Sequence, residues 1–418
     1  MNAPEGMAQA AAQGAPLPLA GVRIIAVEQY GAGPFGTQHL ADLGAEVIKI
    51  ENPNDGGDVG RAVGPHYFGP GDSHFYQSFN RNKKSITLDL KKPEAQQALR
   101  RLAKDADVVF NNLRGDLPAK LGLTYDKLKD VNPALVCGHL SAYGRTGSRA
   151  AWPGYDYLMQ AEAGYLSLTG EPDGPPARMG LSIIDLMTGT TAAMGILAGV
   201  IGARTAGVGR DIDVSLFDVA LHNLCYVGTW YLNAGQAIGR TARSGHPSLT
   251  PSQLYKTKDG WIFLMCNKEK FWGVLCNCIG KPEWADAAEY KTFKDRLAHR
   301  DQITQELDAV LQAKTTDEWM KVFAGKVPAA PVYDVAQALE NDFVAEQKRL
   351  LDFDHPSGPV RMIASPVRAG EHPVRPAPMM GEHTGETLRR AGYSDDEIAQ
   401  LRALGALGAV ATTEQGAA

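Results

Sequence analysis

Residues 21–51 read GVRIIAVEQYGAGPFGTQHLADLGAEVIKIE. The apolar run at 21–28 is a short strand, GAGPFG (31–36) is a glycine turn, TQHLADLGA is helical, and EVIKIE is a second strand. Strand, turn, helix and strand make a βαβ unit, whose crossover forces the two strands to run parallel. The glycines fall at Gly31, Gly33 and Gly36, and an acid, Glu51, follows twenty positions after Gly31. That is a literal dinucleotide fingerprint, in which bare backbone approaches a pyrophosphate and the acid takes a ribose hydroxyl. It defines one hypothesis, an NAD-dependent oxidoreductase. A lone match is weak support for it, and Pro34 is out of character inside the fingerprint.

The pattern then repeats. Residues 52–78 are polar and rich in Gly and Pro, and read as a loop. SITLDL (85–90) is a strand, KKPEAQQALRRLAKDA (91–106) a helix with Pro93 at its start, and DVVFNN (107–112) a strand. YDKLKDVNPALVCGHLSAYG (125–144) adds a helix and a strand that carries His139, a residue better suited to a core than to a base. Successive βαβ units predict an α/β fold with a doubly wound, largely parallel, Rossmann-like sheet. From 210 onward a strand feeds a long amphipathic helix, and LYKTKDGWIFLMC turns back at Asp259-Gly260 as a hairpin. Helical stretches after it predict a smaller α+β lobe. The expected division is an extension at 1–16, a large lobe at 17–225, a small lobe at 226–335, a return segment at 336–404 and a tail at 405–418.

Composition narrows the function classes. The chain of 418 residues has a formal charge of −5 and 44% apolar residues, enough for sizeable cores and without a basic face for nucleic acid. Its five cysteines include Cys276 and Cys278 in an apolar helical run, and no second Cys/His pair answers them. No metal is therefore expected, and reduced core thiols point to the cytoplasm. Residues 1–16 lack the basic start and apolar core of a secretory signal. The apolar run 186–203 is interrupted by Thr and Gly and followed by an α/β pattern, so it reads as a buried helix and no membrane is expected.

Residues 152–220 carry the chemistry: WPGYDYLMQAEAGYLSLTGEPDGPP, then ARMGLSIIDLMTGTTAAMGILAGVIGARTAGVGRDIDVSLFDVA. One acid, Asp185, stands between an apolar run read as a strand, Leu181–Ile184, and a helix rich in small residues, Leu186–Ala203. Two readings stand side by side. Asp185 is an N-cap, or it is a carboxylate nucleophile whose charge the helix dipole favours.

TGEPDGPP (169–176), DLMTG (185–189), FNRNKKSITLDLK (79–91) and PMMGEHT (378–384) together resemble the family III CoA-transferases, the CaiB/BaiF-like group. That group includes formyl-CoA transferase, carnitine CoA-transferase and the 2-methylacyl-CoA racemases. The likeness runs from about Leu17 to about Leu404. It implies Asp185 as the nucleophile that takes an acyl group from CoA. It implies CoA contacts at Tyr30, Gly31, Ala32, Leu88, Lys91, Asn112, Leu113, Arg114, Lys120, Leu121 and Tyr155. Lys91, with Lys83 and Lys84, otherwise reads as solvated surface charge. The resemblance further implies no permanently bound cofactor, CoA as co-substrate, an acyl-CoA and a carboxylic acid as partners, and an interlocked homodimer.

Two departures from the family pattern matter. The racemases carry Gly-His-Asp with a basic His, whereas this chain has Gly154-Tyr155-Asp156, and a phenol that ionises near pH ~10 is a poor base at neutral pH. This favours acyl transfer over racemisation, with Asp156 supporting Tyr155 or the acid substrate, or simply buried and hydrogen-bonded. Formyl-CoA transferase has a tetraglycine loop where this chain has Ser244-Gly245-His246-Pro247-Ser248. A differently shaped acid is expected, with His246 either a substrate contact or a loop-surface residue.

Overall fold

The computed structural model describes residues 16–370 and 374–408. The expected extension, apart from Pro16, and the tail beyond 408 lie outside the described residues.

Six strands form one sheet: β1 Arg23–Val27, β2 Glu46–Glu51, β3 Lys84–Thr87, β4 Val108–Asn111, β5 Val136–Ser141 and β6 Arg210–Ser215. Their order is β3-β2-β1-β4-β5-β6 and every pairing is parallel. This is the doubly wound order. The chain winds outward from β1 to β3, then crosses back and winds outward again from β4. Between β1 and β4 the connections diverge, leaving a crevice at the carboxyl ends of the strands. β4 and β5 are buried along their whole length, as parallel strands covered on both faces require.

Four helices matter for the site: α1 Ala32–Asp42, α2 Pro93–Ala103, α3 Asp156–Glu162 and α4 Ile183–Ala206. The apolar stripe of α2 (Ala95, Ala98, Leu99, Leu102) shares one core with Ile25, Ile48, Ile86 and Val109, and with Leu388, Ile398 and Leu401 near the chain's end. α4 packs on β5 and β6, where the bare Cα of Gly199 meets Val136 and Ile212. α1 crosses α4 at two glycines. A Cβ on Gly36 would stand 2.5 Å from the Gly189 carbonyl oxygen, and one on Gly189 would stand 2.4 Å from that of Ala32.

Contacts divide the chain into two units. The first takes the chain up to Ala163, Leu181–Asn223 and everything from Lys348; the second takes Gly164–Gly180 and Leu224–Gln347. In the second, β7 Ser252–Lys256, β8 Trp261–Met265 and β9 Ala329–Pro331 form an antiparallel sheet. Tyr255, Ile262, Trp272, Leu275, Leu307 and Phe323 fill its core, and Cys266 and Cys276 are free thiols within it. Burial pushes both thiols up to about 12, so they stay protonated and inert.

Several local expectations are corrected. Leu181–Ile184 is not a strand: the helix already begins at Ile183, and Leu181 is exposed. α1 begins at Ala32, so Gly33 and Gly36 are helical, not a turn. The stretch read as a loop, 52–78, runs into a helix, His74–Asn80. The long helix after β6 breaks at Cys225, whose φ is +48°. Residues 405–408 are no tail, because Ala406 and Leu407 belong to the core and accept bonds from Asp89 and Thr87. The helix read as buried, α4, exposes Met194 and Ile201 on its outer side.

Candidate active site

β1 ends at the crevice, and the chain there is bent by an unusual residue. Tyr30 has φ +68°, the left-handed region that costs a non-glycine residue about 1 kcal/mol or more. Its N–H donates to Asp58 Oδ1 at 2.8 Å, which fixes the bend. Asp58 is anchored in turn: its Oδ2 lies 2.8 Å from Lys49 Nζ, and both side chains are fully buried. The bend delivers Gly31 into the crevice, where α1 starts.

Asp185 arrives from α4. It is the third residue of the helix, Ser182 occupies the N-cap without a side-chain bond, and Asp185 is 7% exposed. Its own N–H donates to Asp156 Oδ2 at 2.9 Å. The acceptor at this helix start is therefore Asp156, reaching over from α3, and the cap reading of Asp185 fails. Among the described residues none donates a hydrogen bond to the Asp185 carboxylate. A Cβ on Gly31 would lie 2.8 Å from Asp185 Oδ2, so the carboxylate rests against bare backbone. Burial, with the Asp156 charge second, pushes Asp185 up to about 7. An acid so placed is a stronger base and nucleophile than an ordinary carboxylate, and half of it is ionised near neutral pH.

A cavity of ≈ 240 Å³ opens on this carboxylate. Tyr30, Gly31, Ala32, Asn112, Leu113, Arg114 and Tyr155 all line it. Tyr155 is exposed and meets Tyr30 edge-on at 6.3 Å. Gly33, on the first turn of α1, leaves room for Asn112, whose side chain a Cβ would meet at 2.8 Å. Asn112 exchanges bonds with the Gln29 main chain at 2.9 and 2.7 Å, which ties β4's end to β1's across the crevice. A second cavity of ≈ 270 Å³ shares Gln29, Leu113 and Leu117 with the first. Leu88, Leu90, Lys91 and Leu121 line it. Its leucine walls suit a flat base, and Lys91 is its one cation for a phosphate, beside five carboxylates that also line it, Glu28, Glu51, Asp55, Asp58 and Asp89.

Other expected residues are placed differently. Lys120 lines neither cavity; it is exposed and bonds Asp116 at 2.7 Å. Arg114 also grips Asp116, at 2.6 and 3.1 Å, so a phosphate would have to compete for it. Asp156 makes no bond to Tyr155; its Oδ1 accepts from Gln160 at 2.6 Å. His246 belongs to the second unit, where it stacks on Tyr226 and its carbonyl accepts from Arg300 at 2.5 Å.

The acid of the dinucleotide fingerprint is spent. Glu51 is buried and holds Arg61 at 2.6 and 2.8 Å and Ser85 at 2.5 Å. Lys83, read as surface charge, is buried too, bonding Glu28 at 2.8 Å and the Pro34 carbonyl at 2.9 Å. Burial brings its ammonium down to about 8. Lys49, Lys83 and Arg61 face Glu28, Glu51 and Asp58, a balanced buried network beneath the Tyr30 bend. Sequence reading missed Asp58 and Lys49. The available signal was Lys49 itself, a charge in the middle of the apolar strand VIKI that needs a buried partner.

A family model described as CoA-transferase family III matches residues 19–384. The chain is 35% identical to the succinate–glutarate CoA-transferase of Agrobacterium fabrum, an alignment covering 89% of this chain and 95% of that protein. It is 33% identical to the human succinyl-CoA:glutarate CoA-transferase, covering 93% and 89%. A crystal structure of a CaiB/BaiF family protein from Brucella suis superposes with a TM-score of 0.78 at 30% identity, covering 90% of this chain and 100% of that one.

Proposed function

The chain belongs to CoA-transferase family III, and from that premise we propose that it moves CoA between two carboxylic acids through covalent steps on Asp185. The observation that carries the reading is the Asp185 carboxylate: buried, accepting no hydrogen bond from the described residues, set against the bare Gly31 backbone and open to a cavity. One carboxylate oxygen of Asp185 attacks the donor thioester carbonyl, and CoA departs as thiolate, leaving an aspartyl–acyl anhydride. The thiolate then attacks the aspartyl carbonyl, which frees the donor acid and leaves an aspartyl-CoA thioester. The acceptor carboxylate attacks that thioester and expels the thiolate, forming a second anhydride. Thiolate attack on its acyl carbonyl releases the new acyl-CoA and restores Asp185. Thioester energy is conserved throughout because water is kept out.

The fit to CoA as co-substrate is supported by the second cavity, with Leu88, Leu113 and Leu121 for the base and Lys91 for a phosphate. Main-chain N–H groups of the Gly31–Gly33 segment are the candidate oxyanion donors. Relatives named for succinate and glutarate make aliphatic dicarboxylates the first acids to try. The absence of a His at Tyr155 weighs against the racemase reading, which would exchange the α-proton of a 2-methylacyl-CoA with solvent deuterium. The test is a panel of acyl-CoAs against carboxylic acids, read by mass spectrometry, with hydroxylamine trapping of the enzyme. Transfer with the Asp185 peptide marked is expected. A mark on another acid, or α-proton exchange without transfer, would overturn the reading.

A further inference from the structure

Asp185 is poised by a second carboxylate that the proposed chemistry does not consume. Asp156 is 3% exposed and sits in the first turn of α3. One of its oxygens takes the Asp185 N–H at 2.9 Å and the other takes Gln160 Nε2 at 2.6 Å. The same Gln160 amide also reaches the Leu181 carbonyl at 3.1 Å, just before α4 begins. Asp156 and Gln160, both on α3, thus hold the start of α4 at two points. An acid in a helix's first turn ordinarily gains from the free amides around it. Here the amide of Asp185 itself is already taken, and the carboxylate is left against Gly31 without a donor.

We propose that Asp156 is a positioning residue for Asp185: by taking its main-chain N–H from the neighbouring helix, Asp156 aims the Asp185 carboxylate at the cavity and sets a second carboxylate beside it. The inference rests on the transferase reading above. Burial is the larger cause of Asp185's basicity, and among the described residues Asp156 is the charge that adds to it. Tyr30, Tyr155 and Arg114 are the other titratable groups lining the cavity, and Arg114 is held by Asp116. On the elements packed against α4, His139 bonds Asp211, Asp213 bonds Arg145, and Asp218 bonds Ser215. His39 and Asp42 lie at the far end of α1.

Two variants of the full-length protein separate the charge from the hydrogen bond. Asp156→Asn keeps the shape and an acceptor oxygen and removes the charge; Asp156→Ala removes both. The readouts are kcat and KM against pH, from roughly pH 5 to pH 9, with the melting temperature measured alongside. In Asp156→Asn the acid limb of kcat should move to lower pH by about half a unit or more, because ionised Asp185 loses a like-charged neighbour. Above the limb this variant should be about two- to threefold slower, since the weaker base is the weaker nucleophile. Asp156→Ala should lose about 100-fold in kcat, with KM for the acyl-CoA within about twofold of wild type. A merely structural Asp156 would lower the melting temperature and leave the limb where it was. Transfer by the wild type with an unmoved limb in Asp156→Asn overturns this inference alone. A wild type that transfers CoA to no acid overturns the transferase reading and this inference with it.

Discussion

An acid whose proton is held to about pH 7 costs the folded state something at higher pH, and Asp185 is such an acid. Its folded pKa lies above the unfolded value, so the stability it contributes is complete below about pH 4 and is lost as pH rises through 7. A shift of that size corresponds to a loss on the order of 4 kcal/mol by pH 8. Asp185→Asn removes the charge and keeps the shape. We expect it to raise the melting temperature at pH 8, with the gain vanishing near pH 4, while CoA affinity is kept and turnover falls by several orders of magnitude. Calorimetric scans at the two pH values and a transfer assay check this. An unchanged melting temperature at both, or turnover within about tenfold of wild type, contradicts a buried nucleophile. Gly31→Ala should also lose activity, but without the gain in stability. Its Cβ would press on a movable carboxylate, not on backbone, so activity should fall far more than stability.

At the scale of elements, the glycines of the first βαβ unit explain what a sequence can and cannot reveal. That a strand, a glycine segment, a helix and a strand follow one another was legible, and so was the parallel sheet. What the glycines serve was not. Close approach to a pyrophosphate and close approach to another helix demand the same thing, the absence of a Cβ. Gly31 gives room to Asp185, Gly33 to Asn112 and Gly36 to α4, and the partners lie about 80 to 150 positions away in the chain. Lys83 was misread for a related reason: burial of a lysine depends on acids brought to it by folding, here Glu28. Helix α4 offers an internal comparison. Gly189 faces the α1 main chain, whereas a Cβ on Gly202 would meet nothing within 4 Å. Gly189→Ala should therefore cost about 3 kcal/mol by forcing the two backbones apart. Gly202→Ala should stabilise by roughly 0.5–1 kcal/mol, the ordinary helix-interior difference. Denaturant titrations of both variants check the contrast; equal effects would mean that α1 and α4 do not meet through their glycines.

At the scale of the whole molecule, apolar surface remains on both units. In the first, α4 is long and apolar enough to cross a membrane, and Met194 and Ile201 lie outward at 66% and 67% exposure. Its buried side, which carries Asp185, Gly189 and Ala193, is packed against α1 and the sheet. In the second unit the helix Cys225–Ala234 buries none of its residues and exposes Tyr226, Tyr231 and Leu232. Exposed apolar residues grouped on one helix in this way suit an interface. The occupant we expect is a second copy of this chain, since closed homodimers are the commonest oligomers. Light scattering at low concentration should then give a mass near twice 44.9 kDa. Replacing both Met194 and Ile201 by charged residues, which leaves the buried side of α4 untouched, should shift the protein toward monomer without unfolding it. A fully active monomer at all concentrations would show that these faces serve something else.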